Sequence, residues 1–113
     1  GGRLPEPQML EVEWPDGAAE DAFARLDPAG GCLRLRRIGC SAGGGVRVDA
    51  DTVVDLAGVA SASADGKIVQ LDGPHGALVA RLRVDLPRQA EAWVRGVAEV
   101  AGLVAAFAGV GGG

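Results

Sequence analysis

The chain has 113 residues, 48% of them hydrophobic and 23% charged, so it is sized for one domain with one modest core and is too apolar to be intrinsically disordered. Its net charge of −4 excludes nucleic-acid binding driven by overall electrostatics, because phosphate neutralisation needs clustered Lys and Arg. The 19 glycines include terminal and loop runs such as Gly43, Gly44 and Gly45, and they show no collagen-like period.

Residues 1–8, with Pro5 and Pro7, read as an extended entry segment. From 9 to 14 the chain alternates, placing Leu10, Val12 and Trp14 on one face and Glu11 and Glu13 on the other, which predicts a strand. Pro15, Asp16 and Gly17 turn it. Residues 22–26 predict a second short strand, ended by a turn through Asp27, Pro28, Ala29, Gly30 and Gly31. Residues 32–38 follow as a third, with Leu33 and Leu35 opposite Arg34 and Arg36.

Residues 39–45 read as a flexible loop. Two short β-branched segments follow at 46–48 and 52–56, joined by Asp49, Ala50 and Asp51, and 59–64 continues the sheet. Asp65-Gly66 suits a two-residue type I′ hairpin turn, which would pair 67–71 back on the preceding strand. After the Gly- and Pro-rich turn around His75, 77–85 is the clearest strand, with Leu78, Ala80, Leu82 and Val84 inward and Val79, Arg81 and Arg83 outward.

At Pro87 the period changes from two to about 3.6. Pro87 suits a first helical turn, and Asp85 before it suits the positive end of the helix dipole. Ala90, Trp93, Val94, Val97, Ala101 and Val104 share one face, so the expected helix lies on a sheet, with Trp93, Val94 and Val97 in the core. Gly96 and Gly102 each weaken it by about 1 kcal/mol relative to Ala. The whole reads as a mainly β fold: a seven-stranded antiparallel half-open barrel or sandwich capped by one C-terminal helix, over 9–107, with a flexible Gly-rich tail at 108–113.

Several segments resemble the pleckstrin-homology (PH) domain. Phe23-Ala24-Arg25-Leu26-Asp27, a Gly-rich turn and Cys32-Leu33-Arg34-Leu35-Arg36 are similar to that family's second and third strands. Val53-Val54-Asp55-Leu56-Ala57-Gly58-Val59 is similar to its fourth-strand region, and Leu82-Arg83-Val84 with the Arg88–Val94 segment to its last strand and helix, where Trp93 matches the single core tryptophan. The resemblance implies two near-orthogonal sheets and a binding role. Phosphoinositide-binding members place basic residues on the first two strands, whereas here those positions hold Glu11, Glu13, Glu20 and Asp21, whose carboxylates repel an inositol phosphate.

Residues 1–27 carry seven acids against Arg3 and Arg25, while 32–48 carry Arg34, Arg36, Arg37 and Arg47 with no acid. These four arginines are the candidate ligand or partner site, since guanidinium forks pair with carboxylate and phosphate; the alternative is a solvated strand face paired to acids. Arg81 and Arg83 extend that basic face if their strand lies near the third. Trp14 is either an exposed anchor or the end of a buried strand.

Neither a catalytic set nor a metal site assembles from the sequence. His75 is alone in a turn; with Cys32 and Cys40 it is too few ligands, irregularly spaced, for structural zinc. The two cysteines are expected as free thiols in a chain without a secretion signal. The expectation is therefore a non-enzymatic, cofactor-free, cytoplasmic interaction module with a protein or peptide partner and no transmembrane segment. Its alternative is a peripheral reader of phosphoinositide or anionic membrane through the arginines.

Overall fold

The computed structural model describes residues 4–40 and 46–107; the expected loop tip at Gly43–Gly45 and the tail at 108–113 lie outside them. Seven antiparallel strands form: β1 Gln8–Glu13, β2 Ala19–Asp27, β3 Cys32–Cys40, β4 Val46–Asp55, β5 Ser61–Asp65, β6 Ile68–Asp72 and β7 Leu78–Arg83. The helix α1, Pro87–Ala101, follows, and then an eighth short strand, β8, Ala105–Phe107. The sheet order is β4-β3-β2-β1-β7-β6-β5-β8. Its two ends, β4 and β8, are not paired to each other, so the barrel is half open.

The two halves of the expected sandwich are one hydrogen-bonded sheet, because β1 pairs with β2 on one side and, through Glu11, Val12 and Glu13, with β7 on the other. Period-two alternation fills the interior: Leu10 and Val12, Ala22, Ala24 and Leu26, Leu33 and Leu35, Val69 and Leu71, Ala80 and Leu82 are all buried. One face of α1 closes this core through Ala90, Trp93, Val94 and Val97, each fully buried. The Trp93 indole Nε1 donates to Gln8 Oε1 at 3.0 Å, so the buried ring keeps a partner for its one polar atom.

Several local expectations need correction. The β2 strand starts at Ala19, and β3 runs on to Cys40, so Gly39 and Cys40, expected in a loop, are strand. The two segments expected at 46–48 and 52–56 are one strand, β4. Asp49-Ala50, expected to separate them, lies at a bulge, since Arg36 pairs with Asp51 and Ile38 with Val48; one residue on β3 faces two on β4. Leu56 leaves the sheet for a 3-10 turn, Leu56–Gly58, where Asp55 Oδ1 accepts from Ala57 N–H at 2.9 Å.

The hairpin turn is displaced by one residue. Asp65 pairs with Ile68, leaving Gly66-Lys67 as the two-residue loop, and Gly66 alone has positive φ, at 60°. That is the pattern of type II′ rather than I′.

The helix also stops earlier than its apolar stripe suggests. Gly102 adopts φ 73°, and Leu103 N–H donates to Ala98 C=O at 2.7 Å while Gly102 N–H donates to Glu99 C=O at 3.4 Å, the two bonds of a Schellman stop. The chain then turns away, leaving Val104 90% exposed instead of on the core face. At the other end the N-cap is Leu86, which has no side-chain acceptor. Gln89 Oε1 instead reaches back, accepting from the backbone N–H groups of Asp85 and Leu86 at 3.1 and 3.0 Å, while the Gln89 N–H donates to the Leu86 carbonyl.

Residues 103–107 then run back to add β8 in parallel to β5. Cys32 is buried and lies at the opposite end of β3 from Cys40. Eight residues of strand place their Cα atoms about 26 Å apart, far beyond the reach of a disulfide within the chain.

Candidate binding face

The outer surface of β1–β3 is organised by the β2–β3 hairpin. Asp27 ends β2 and holds the turn: its Oδ1 accepts from Gly30 N–H at 3.0 Å, and its Oδ2 accepts from Arg34 Nε at 3.0 Å. Gly31 at φ 63° reverses the chain with the left-handed geometry that favours glycine. The Gly30 N–H and then the Arg34 guanidinium hold the Asp27 carboxyl below the usual carboxylate range, partly opposed by desolvation, with Arg25 adding a smaller pull in the same direction as Arg34.

This turn fixes the register, which places Phe23 opposite Arg36 and Arg25 directly opposite Arg34. With Ala22, Ala24 and Leu26 inward, alternation sends Phe23 and Arg25 outward. Phe23, Arg25, Arg34 and Arg36 line one shallow open depression of about 170 Å³. Met9 lies opposite Phe23 on β1, and Val53 opposite Arg34 on β4. Met9, Phe23 and Val53 are 45%, 39% and 52% exposed, three large apolar side chains on one face.

Of the four arginines singled out in the sequence, Arg34 and Arg36 meet in this depression. Arg37 takes the register position opposite Ala22, and Arg47 pairs with Gly39 near the far end of β4; the side chains of both lie outside the described residues. Arg25, Phe23, Met9 and Val53 were not among the candidate site residues. Their signal was present as the outward half of the alternation in β1, β2 and β4, but only register shows which outward residues meet.

Arg81 and Arg83 do not extend this face. Their strand lies beside β1, where Arg83 opposes Glu11 and Arg81 opposes Glu13. Arg81 donates to Glu13 Oε1 at 3.1 Å and to Gln70 Oε1 at 3.2 Å, and Gln70 Nε2 donates in turn to Asp72. Arg81 thus belongs to a polar network across the outer surface of β1, β7 and β6, and Arg83 stands beside it opposite Glu11.

The β1–β2 turn is acidic. Trp14, half-buried there, donates from Nε1 to Glu20 Oε1 at 2.9 Å, so this tryptophan packs beside the core with its polar edge tied to the turn. His75 sits exposed in the 3-10 turn Pro74–Gly76 at φ 67°. Among the described residues no group of three His, Cys, Asp or Glu side chains is placed to hold a metal ion, and no helix is long and apolar enough to cross a membrane.

No family model matches the chain, and no curated protein matches it. Among solved structures, inner membrane complex sub-compartment protein 3 from Toxoplasma gondii is similar, at 16% identity and a TM-score of 0.55, over 85% of this chain and 74% of that one. At this identity the likeness is one of fold, and this chain's own open, mainly antiparallel sheet with its C-terminal helix is consistent with a PH-like order of strands.

Proposed function

We propose that the chain is a PH-like interaction module that works by protein–protein contact, as a scaffold or docking unit, and has no catalytic activity. The observation that carries this reading is the outer face of β1–β4, where Met9, Phe23 and Val53 are exposed among arginines. Apolar side chains gathered on one charged surface are what a partner covers. The similar solved structure is, by its name, a component of an inner membrane complex sub-compartment, which supports a scaffolding role. A cytoplasmic setting fits a buried free thiol at Cys32.

The test is affinity capture with the 113-residue chain and with a Phe23→Ser/Arg25→Glu variant that keeps the far-UV circular dichroism of the parent. The expected outcome is a set of partners held by the parent and lost by the variant. Identical capture by both proteins contradicts the reading.

A second reading, of an anionic-membrane reader, is favoured by one observation: Arg25, Arg34 and Arg36 line the same depression. Sedimentation with vesicles containing phosphatidylserine at low and moderate salt tests it, and absence of binding at low salt contradicts it.

A further inference from the structure

The outward face of β2 is ordered by charge. Asp21, Phe23 and Arg25 follow one another along it, all exposed, so an acid, an aromatic ring and a base stand at steps of about 7 Å. Their strand neighbours repeat the order. Asp21 is directly opposite Glu11 on β1, Phe23 opposite Met9, and Arg25 opposite Arg34 on β3. An acidic row and a basic row therefore flank one apolar row, and the charge of the face reverses about Phe23.

Each outer row holds like charges side by side, which is unfavourable across a sheet. Part of this is met within the chain. Glu11 has Arg83 on its other side, and Asp27 bonds Arg34 at 3.0 Å with only a weaker pull on Arg25. That places the weight of each row's outward charge on Asp21 and Arg25. In the middle row Arg36, level with Phe23, stands opposite Asp51 on β4, so the centre of the face carries no net charge.

A surface whose charge reverses about its centre is complementary to itself. Half a turn about an axis along the Met9–Phe23 row sets Asp21 of each copy over Arg25 of the other and brings the two Phe23 rings together. This is the isologous geometry of a two-fold dimer, in which every contact occurs twice. Sheets packed face to face stand about 10 Å apart, a gap that facing Asp and Arg side chains span. A partner of uniform charge, acidic or basic, would match one outer row and be repelled by the other.

We propose that this face is a self-association surface: two copies of the chain stack β2 on β2 in opposite directions, with Asp21 paired to Arg25 twice across the interface and Phe23 and Met9 at its centre. This rests on the reading of the chain as a protein-contact module and names a second copy as its partner. The ring and the thioether supply the apolar contact, and the ion pairs fix direction more than strength.

Analytical ultracentrifugation of the 113-residue chain at rising concentration and low salt reads the association, with far-UV circular dichroism run on every variant. The parent is expected to form a dimer that added salt weakens. Asp21→Arg and Arg25→Glu each set like charges across the interface, and Phe23→Ser removes its centre, so each should weaken self-association about tenfold or more. In an equal mixture of Asp21→Arg and Arg25→Glu both ion pairs are restored between unlike chains, and a mixed dimer should form. The double variant Asp21→Arg/Arg25→Glu should again dimerise by itself. Arg88→Glu, at the start of α1 and away from this face, should associate as the parent does.

Three results overturn the proposal: a parent that stays monomeric up to about 1 mM, a dimer unaffected by either charge reversal, or a mixture of the two reversals that stays monomeric when each alone is. A monomeric parent whose captured partners are still lost on Phe23→Ser/Arg25→Glu overturns the self-association alone and leaves the module reading standing.

Discussion

At the scale of single residues, Trp93 and Gly96 show how α1 is held. Trp93 is fully buried and hydrogen-bonded to Gln8, so Trp93→Ala removes a large core side chain and leaves the Gln8 acceptor without its partner. The expected cost is about 3–5 kcal/mol, read as a lowered urea midpoint by circular dichroism, and it is a large share of the stability of a domain this size. Gly96 has a different role from the helix-weakening one its propensity suggests. A Cβ there would lie 2.5 Å from Pro5 Cδ and 2.7 Å from Leu26 Cδ1, which brings the entry segment and β2 against the helix backbone. Leu26 has a flexible end that can shift, but the proline ring cannot. Gly96→Ala is therefore expected to destabilise by about 1–2 kcal/mol, because overpacking outweighs the gain in helix propensity. Removing residues 1–7 should relieve much of that penalty. A Gly96→Ala protein as stable as the parent contradicts this packing.

Among the elements, the β2–β3 hairpin carries the candidate site, and Asp27 holds its turn. Its carboxyl is held below the usual carboxylate range by Gly30 N–H and Arg34. A carboxyl depressed in the folded state adds stability that is complete above its unfolded value and is lost as pH falls through its folded value. Asp27→Asn keeps an acceptor for Gly30 but removes the charge facing Arg34. The difference in thermal midpoint between parent and Asp27→Asn should thus be present near neutrality, shrink below the ordinary carboxylate range and vanish at more acid pH. A difference independent of pH argues against the ion pair.

This element was well marked in the sequence: Asp27-Pro28 and Gly30-Gly31 announce the turn, and alternation announces the strands. The continuity of β4 was not, because Asp49, Ala50 and Asp51 look like a break when they are a bulge whose pairing depends on β3. Nor was β8. Its three residues, Ala105–Phe107, have no pattern of their own and pair only because the Gly102 stop returns the chain to β5.

Across the whole molecule, seven strands and a closing helix follow from periodicity, since each strand buries every second residue and α1 buries one stripe. Sheet order does not follow from it. That Arg81 and Arg83 meet Glu13 and Glu11 depends on β1 pairing with β7, a contact between residues about seventy apart in the chain, and it removes two arginines from the face to which local pattern alone would assign them. The same long-range order leaves the outer surface of β1–β4 with Phe23, Met9 and Val53 uncovered beside Arg25 and Arg36. This face, rather than the acidic β1–β2 turn or the edge beside α1, is the proposed partner surface.

Amide shift mapping tests that claim most directly, with a ¹⁵N-labelled chain titrated with a captured partner. The largest shifts are expected at Met9, Phe23, Arg25, Arg34 and Arg36. Shifts concentrated in residues 14–18, or along β5 and α1, with this face unmoved, would contradict it.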